Sequence, residues 1–269
     1  MRPAFGRHTE RLKDEDILEI GSFVPEPLPG EEKVRFSRVT GMPEAPEAFP
    51  VVAIGWPETK NLARLLGKDD LKKIDPFVRA DMKKYDFFLV RLCSSFLPES
   101  EETVLHSARF IVVLKPNIQG QQPRVSAMYP LRVVDPMKKT SRMGLNASLQ
   151  FIPLVGTTPA VEGAIETGVE YTKLVPKMVA AFNFDQSGAL WDFERTDADE
   201  LRGVRYMYLL ARAPVGSARL EARITLSAKV RFKDRLRNAV FAPWGRAAPA
   251  LEVNLLSERG RAVRPPPPA

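Results

Sequence analysis

The stretch Arg219-Leu220-Glu221-Ala222-Arg223-Ile224-Thr225-Leu226-Ser227-Ala228-Lys229-Val230-Arg231 alternates almost without error. Leu220, Ala222, Ile224, Leu226, Ala228 and Val230 fall on one side, and Arg219, Glu221, Arg223, Thr225, Ser227, Lys229 and Arg231 on the other. A side-chain period of two defines a β-strand, and the division into apolar and charged sides defines one buried face and one wet face. Such a strand belongs to an antiparallel sheet that packs on one side and meets water on the other.

Working outward, eight further strand-like segments precede this one: Phe87 to Cys93, Val104 to Lys115, Arg124 to Val134, Leu145 to Ile152, Gly168 to Val175, Met178 to Phe184, Ala189 to Glu194 and Val204 to Arg212. In Val104 to Lys115 the apolar side carries Val104, His106, Ala108, Phe110, Val112 and Leu114. Turn chemistry joins neighbours: Ala213-Pro214-Val215-Gly216-Ser217 between the last two strands, and Asp185-Gln186-Ser187-Gly188 between an earlier pair. The intervals are too short for the crossover helices of a parallel sheet. The pattern predicts a mainly all-β chain, an antiparallel β-sandwich or jelly-roll over residues 86–232.

The flanks read differently. Residues 1–57 are rich in proline and acid, as in Val24-Pro25-Glu26-Pro27-Leu28-Pro29-Gly30-Glu31-Glu32, and read as an extended arm with short strands at Lys33 to Val39 and Pro50 to Ile54. Residues 58–85 read as a helical segment, with Leu62, Leu65, Leu66, Leu71 and Ile74 as its apolar stripe and Pro76 as a break. Residues 233–269 form a basic, proline-rich C-terminal extension with a late strand at Ala250 to Leu256 and the ending Pro265 to Pro268, which reads as a solvated tail.

Composition narrows the function classes. The 269 residues carry 40 Lys and Arg against 33 Asp and Glu, a net charge of +7, spread thinly along the chain. The single cysteine, Cys93, excludes an internal disulfide and a paired-cysteine metal knuckle, and with only two histidines, His8 and His106, no zinc site is expected. No apolar run reaches the roughly 20 residues of a membrane-spanning helix, and the N-terminus lacks the apolar stretch of a secretory signal. These features point to a cytoplasmic protein with no cofactor.

Candidate chemistry is sparse. A Cys93–His106 nucleophile pair would need a third, orienting group, and both residues sit in apolar strand contexts that favour burial. Asp192 and Glu194 share a strand face, as acid–base carboxylates would, but Arg195 and Arg202 stand beside them. Trp191, Phe193 and Phe182 suit a core, leaving Tyr206 and Tyr208 as surface aromatics. No serine-hydrolase elbow, metalloprotease helix, phosphate loop or dinucleotide fingerprint occurs.

The leading expectation is a non-catalytic structural or interaction subunit of a larger assembly, its arms docking on other protein subunits or on further copies of itself. One alternative is a binding module for an anionic surface, nucleic acid or acidic lipid, through Arg219, Arg223, Lys229, Arg231, Arg235 and Arg237. Another is a hydrolase without a motif, using Asp192, Glu194 or Cys93.

Overall fold

The computed structural model describes residues 12–25, 50–97, 103–116, 122–130, 132–133, 142–154, 165–170, 178–183, 187–195, 201–232, 235–243 and 250–256. In chain order the strands are β1 (Ile17–Pro25), β2 (Val51–Gly55), β3 (Glu58–Asn61), β4 (Tyr85–Leu97), β5 (Thr103–Leu114), β6 (Arg124–Tyr129), β7 (Arg132–Val133) and β8 (Arg142–Leu145). They continue with β9 (Phe151–Leu154), β10 (Ile165–Glu170), β11 (Met178–Asn183), β12 (Gly188–Glu194), β13 (Gly203–Pro214), β14 (Glu221–Phe232), β15 (Arg235–Pro243) and β16 (Ala250–Asn254). Three short helices, α1 (Leu62–Leu65), α2 (Lys68–Lys73) and α3 (Pro76–Asp81), lie between β3 and β4.

One continuous antiparallel sheet runs in the order β6-β13-β4-β2-β1-β15-β14-β5-β12-β11-β7, with β3 also on β4 and β16 also on β14. Its first strand, β6, comes back against β12 and β11, so the nine strands from β6 to β12 curl into a nearly closed barrel. A small second sheet, β10-β8-β9, packs on β6, with Phe151 of β9 against Tyr129 at 6.2 Å between ring centroids. The expected sandwich or jelly-roll is therefore corrected. Alternation specifies an inward and an outward face, and a single curled sheet satisfies it as well as two stacked sheets do.

The barrel is filled. Phe23 of β1 stacks on Phe96 of β4 with ring centroids 6.4 Å apart, and Phe96 meets Phe193 of β12 edge-on at 6.0 Å. Phe110 of β5 meets Trp191 of β12 at 6.3 Å, and all five aromatics are fully buried. Strands from different walls thus share one core, and aromatic pairs in these geometries add to the burial of their large apolar area.

The segments expected as flanks supply much of the wall. β1 and β2 pair with each other and tie β15 to β4, while β15 and β16 pair along successive halves of β14. Gly21 of β1 and Gly55 of β2 are places where a side chain does not fit, since an added Cβ would run into Ala242 O and Cys93 Sγ respectively. Of the other expectations for these zones, the strand at 33–39 and the tail at 257–269 lie outside the described residues, as do residues 171–175 of the strand expected at 168–175.

The helices cover part of the outside. Leu62, Leu66 and Ile74 are buried against the sheet, and Asp75 caps α3 by accepting from Phe77 N at 2.8 Å. Phe77 itself is 85% exposed. The β13–β14 connection turns at Gly216, whose φ of +80° suits a residue without Cβ, and its N–H donates to Asp86 at 2.9 Å.

This arrangement separates two phenylalanines sharply. Phe96→Ala should lower unfolding free energy by about 3–5 kcal/mol, whereas Phe77→Ser should change it by less than about 0.5 kcal/mol. Urea unfolding followed by tryptophan fluorescence measures both. Equal effects would mean that Phe96 is not at the centre of the core.

Candidate outer-face binding site

The candidate site grows from the outward side of β14. Its described side chains alternate as the sequence requires: Ala222, Ile224, Leu226, Ala228 and Val230 are buried, while Glu221, Arg223, Lys229 and Arg231 are exposed. β5 runs along one edge of β14 and β15 and β16 along the other, and directly opposed residues share a face.

Register then defines the rows of the outer surface. Glu194, Ser107, Lys229 and Asn238 form one row across β12, β5, β14 and β15. Asp192, Arg109, Ser227 and Val240 form the next. The two rows line a trough of about 430 Å³. One wall is fixed, because Arg109 donates twice to Asp192, Nε to Oδ1 at 2.6 Å and Nη2 to Oδ2 at 2.9 Å. A two-pronged guanidinium–carboxylate pair of this kind holds both side chains in one orientation.

Farther along β14 the cations alternate with aliphatic side chains. Arg231 is opposite Val104 and Leu236, and Arg223 is opposite Val113. Leu236 and Val113 are 53% and 38% exposed. At this end Arg223 also faces Glu252 of β16, whose carboxyl is held below the ordinary range chiefly by its hydrogen bond and ion pair with Lys115, with Arg223 a smaller contributor. Arg219 approaches Glu221 at 3.7 Å.

The six cations expected to act together are thus divided. Arg219, Arg223, Lys229 and Arg231 lie along the outward side. Arg237 is opposite the buried Val230, which places it on the inward-facing side of the sheet, and the side chain of Arg235 lies outside the described set. The hairpin between β14 and β15 reverses the phase, a shift that net charge along the sequence does not reveal.

His106 also departs from its expected place. Lys229 pairs with Ser107 and Val230 with Leu105, so His106 is an extra residue in β5. This β-bulge puts His106 at the exposed surface and turns Val104 outward and Leu105 inward. Cys93, in contrast, is buried in β4 against Gly55, five places away along the sheet order. Burial pushes its thiol up to about 11. The Cys93–His106 pair is not assembled, and Cys93 is buried in β4 while Asp192 and Glu194 of β12 line the outer trough, so the described residues form no reacting centre that combines them. Among the described residues no group of three or more His, Cys, Asp or Glu side chains gathers to hold a metal ion.

Tyr208, expected as a surface aromatic, is buried, and Tyr206 is partly covered with the Arg91 guanidinium 5.2 Å from its ring centre. Arg91 in turn donates to Glu58 of β3. Trp191 and Phe193 are core residues; the side chain of Phe182 lies outside the described set. The acidic turn at 196–200 likewise lies outside it. Arg109, Ser107, Ser227 and Asn238 were missed by the sequence reading. The signal available for them was the row of short hydroxyl side chains between charged ones, which gains meaning only when strand register is known.

No protein-family model matches the sequence, and no curated protein matches it. Solved structures similar to the chain include Clostridium perfringens delta-toxin, at 8% identity over 87% of this chain and 88% of that one, with a TM-score of 0.36. A pore-forming protein is similar at 9% identity over 77% and 84%, TM-score 0.34. The Clostridium perfringens NetB toxin in its membrane-inserted form is similar at 10% identity over 78% and 84%, TM-score 0.25.

The expectation of a cytoplasmic structural subunit whose partners are other subunits or nucleic acid is corrected by the fold. The subunit reading rested on flanks that cannot bury themselves, and four strands from those flanks are built into the sheet. The cytoplasmic placement and those partners rested on the same reading and are withdrawn with it. Among the described residues no helix is long and apolar enough to cross a membrane, a statement about helices alone.

The buried thiol supplies a direct check. Cys93 in the folded protein should react with a water-soluble disulfide reagent at pH 8 at least about a hundredfold more slowly than in denaturant, because the thiolate is the reacting form and the raised ionisation depletes it. A native rate equal to the denatured one would show the thiol to be open to solvent.

Proposed function

We propose that this chain is a binding module for an acidic lipid surface, which it meets with the outward side of β14 and its neighbours. The carrying observation is the interleaving, in register, of cations with exposed aliphatic side chains: Arg231 beside Leu236, and Arg223 beside Val113. A bilayer interface offers both negative headgroups and an apolar boundary, and each Lys or Arg near an anionic leaflet contributes about 1 kcal/mol. Aliphatic side chains have no comparable use against phosphates of a nucleic acid, where stacking aromatics serve instead. The outer face of the described strands presents Val104, Ile111, Val113 and Leu236, with the aromatic side chains of β5 and β12 turned into the core.

The remaining charge supports the same reading. The net +7 supplies a longer-range attraction that fades beyond roughly 10 Å at moderate salt. Lys229 and Arg231, both exposed, face Ser107, Asn238, Val104 and Leu236 rather than a carboxylate across the ladder.

Co-sedimentation with vesicles tests the proposal. Binding is expected to phosphatidylcholine vesicles containing an anionic lipid, to weaken as salt rises, and to fall at least about tenfold when Lys229 and Arg231 are both changed to Glu. Unchanged binding by that double variant, or binding to duplex DNA with none to acidic vesicles, would contradict it.

A further inference from the structure

We infer that the pocket between α3, β13 and the β8–β9 turn takes a neutral polyhydroxyl ligand, a sugar ring, on a wall of the barrel that the lipid contact does not use. β13 stands five places from β14 in the sheet order. Arg212 and Phe87, opposed across β13 and β4, lie on the side of the sheet away from the core ring of Phe96. The pocket encloses about 420 Å³, within the range of small-molecule sites.

Its walls are fixed from three directions. Asp75 N donates to Ala147 O at 2.9 Å, which ties the start of α3 to the β8–β9 turn. Inside that turn Asn146 Oδ1 accepts from Ser148 N at 3.0 Å and from Gln150 N at 2.9 Å. Leu149 holds a φ of +57°, uncommon for a residue with a Cβ, and its side chain is buried. On the opposite side β6 carries a bulge: Leu210 pairs with Ala127 and Ala211 with Val125, so Ser126 is an extra residue, and it lines the pocket.

Asp81 and Arg212 are the charged side chains of the lining, and they are paired, Arg212 Nη1 donating to Asp81 Oδ2 at 3.2 Å. The guanidinium also lies over the Tyr85 ring, 5.2 Å from its centre, so it is held on two sides. The lining as a whole is therefore neutral. An anion would meet Asp81 and a cation Arg212, whereas a purely apolar guest would strip water from the pair and return nothing. A hydroxyl group suits both, its hydrogen donated to the carboxylate and its oxygen accepting from the guanidinium. Neighbouring hydroxyls find Ser126 and Ser148, and the C–H side of a ring rests on Val78, Phe87 and Leu149. Phe77 stands four residues before Asp81 on α3, a neighbour on the helix surface, and its 85% exposure offers a ring face beside the mouth for a further sugar unit.

Calorimetric titration of the full chain with the methyl glycosides of glucose, galactose, mannose and N-acetylglucosamine tests the pocket, with sialic acid as the anionic counterpart. At least one neutral glycoside should bind with a Kd of about 10 mM or tighter, and sialic acid should not. Ser148→Trp, at an exposed position, closes the mouth and should weaken that binding at least about tenfold while leaving the urea midpoint unchanged. Asp81→Asn leaves Arg212 uncompensated, so the preference should reverse, with weaker glycoside binding and a gain of sialic acid binding. Phosphatidylcholine vesicles carrying galactosylceramide separate two sources of the sugar. Binding of the free glycosides marks a soluble glycan; vesicle binding that Ser148→Trp abolishes, without binding of free methyl galactoside, assigns the sugar to a lipid headgroup.

Failure of every glycoside and of the glycolipid vesicles to bind would overturn the pocket. So would a wild-type preference for sialic acid, or a Ser148→Trp variant that binds sugar as the wild type does. The acidic-lipid contact is tested separately, since Ser148→Trp should sediment with acidic vesicles as the wild type does.

Discussion

Burial of one side of β14 is the constraint on which the rest depends. Ala222, Ile224, Leu226, Ala228 and Val230 must leave water together, and a one-residue slip would expose all of them and bury Arg223, Lys229 and Arg231 instead. The register with β5, β15 and β16 is therefore set by hydrophobic burial, at about 25 cal/mol for each Å² removed from water. Once that register is set, the rows across the outer face follow, and the trough and the cation–aliphatic pairs with them.

The same constraint fixes how the walls meet. Phe96 reaches across to Phe193 and Phe23, so β4, β12 and β1 are held at distances their rings dictate. A sheet with strands of twelve and thirteen residues twists and coils, and here the coiling brings β6 back to β12. The filled interior means that the described barrel is a packed core rather than a channel. Binding therefore falls to its outside.

The strand at 219–231 was legible because one face is wet, and the pairing of β13 with β14 through the Gly216 turn was legible from its residues. Closure was not: alternation in β4 or β12 is the same whether the inward face meets a second sheet or the far wall of one barrel. β2 was legible as the short strand at Pro50 to Ile54, whereas β1 was hidden by the prolines and acids around it, since one of its edges is covered by β15, more than two hundred positions away. Within the candidate site, the outward cations of β14 were visible from their period. The bulge at His106 and the reversed phase of Arg237 were not, because each is decided by pairing rather than by local composition. Glu194 and Asp192 were noticed as a pair, but their meaning changed once Arg109 was found locked to one and Ser107 and Lys229 aligned with the other.

Side-on contact by the outer face is the central claim, and labels placed at the two competing surfaces measure it directly. Cysteines introduced singly at Val113, Leu236 and Phe77 can carry a nitroxide or a polarity-sensitive dye, with the buried Cys93 left unlabelled. With acidic vesicles added, labels at 113 and 236 should lose mobility and enter a less polar environment, while the label at 77, on the helices, should stay in water. Immersion of the label at 77 with those at 113 and 236 unchanged would show that the helical end makes the contact, and would contradict the account.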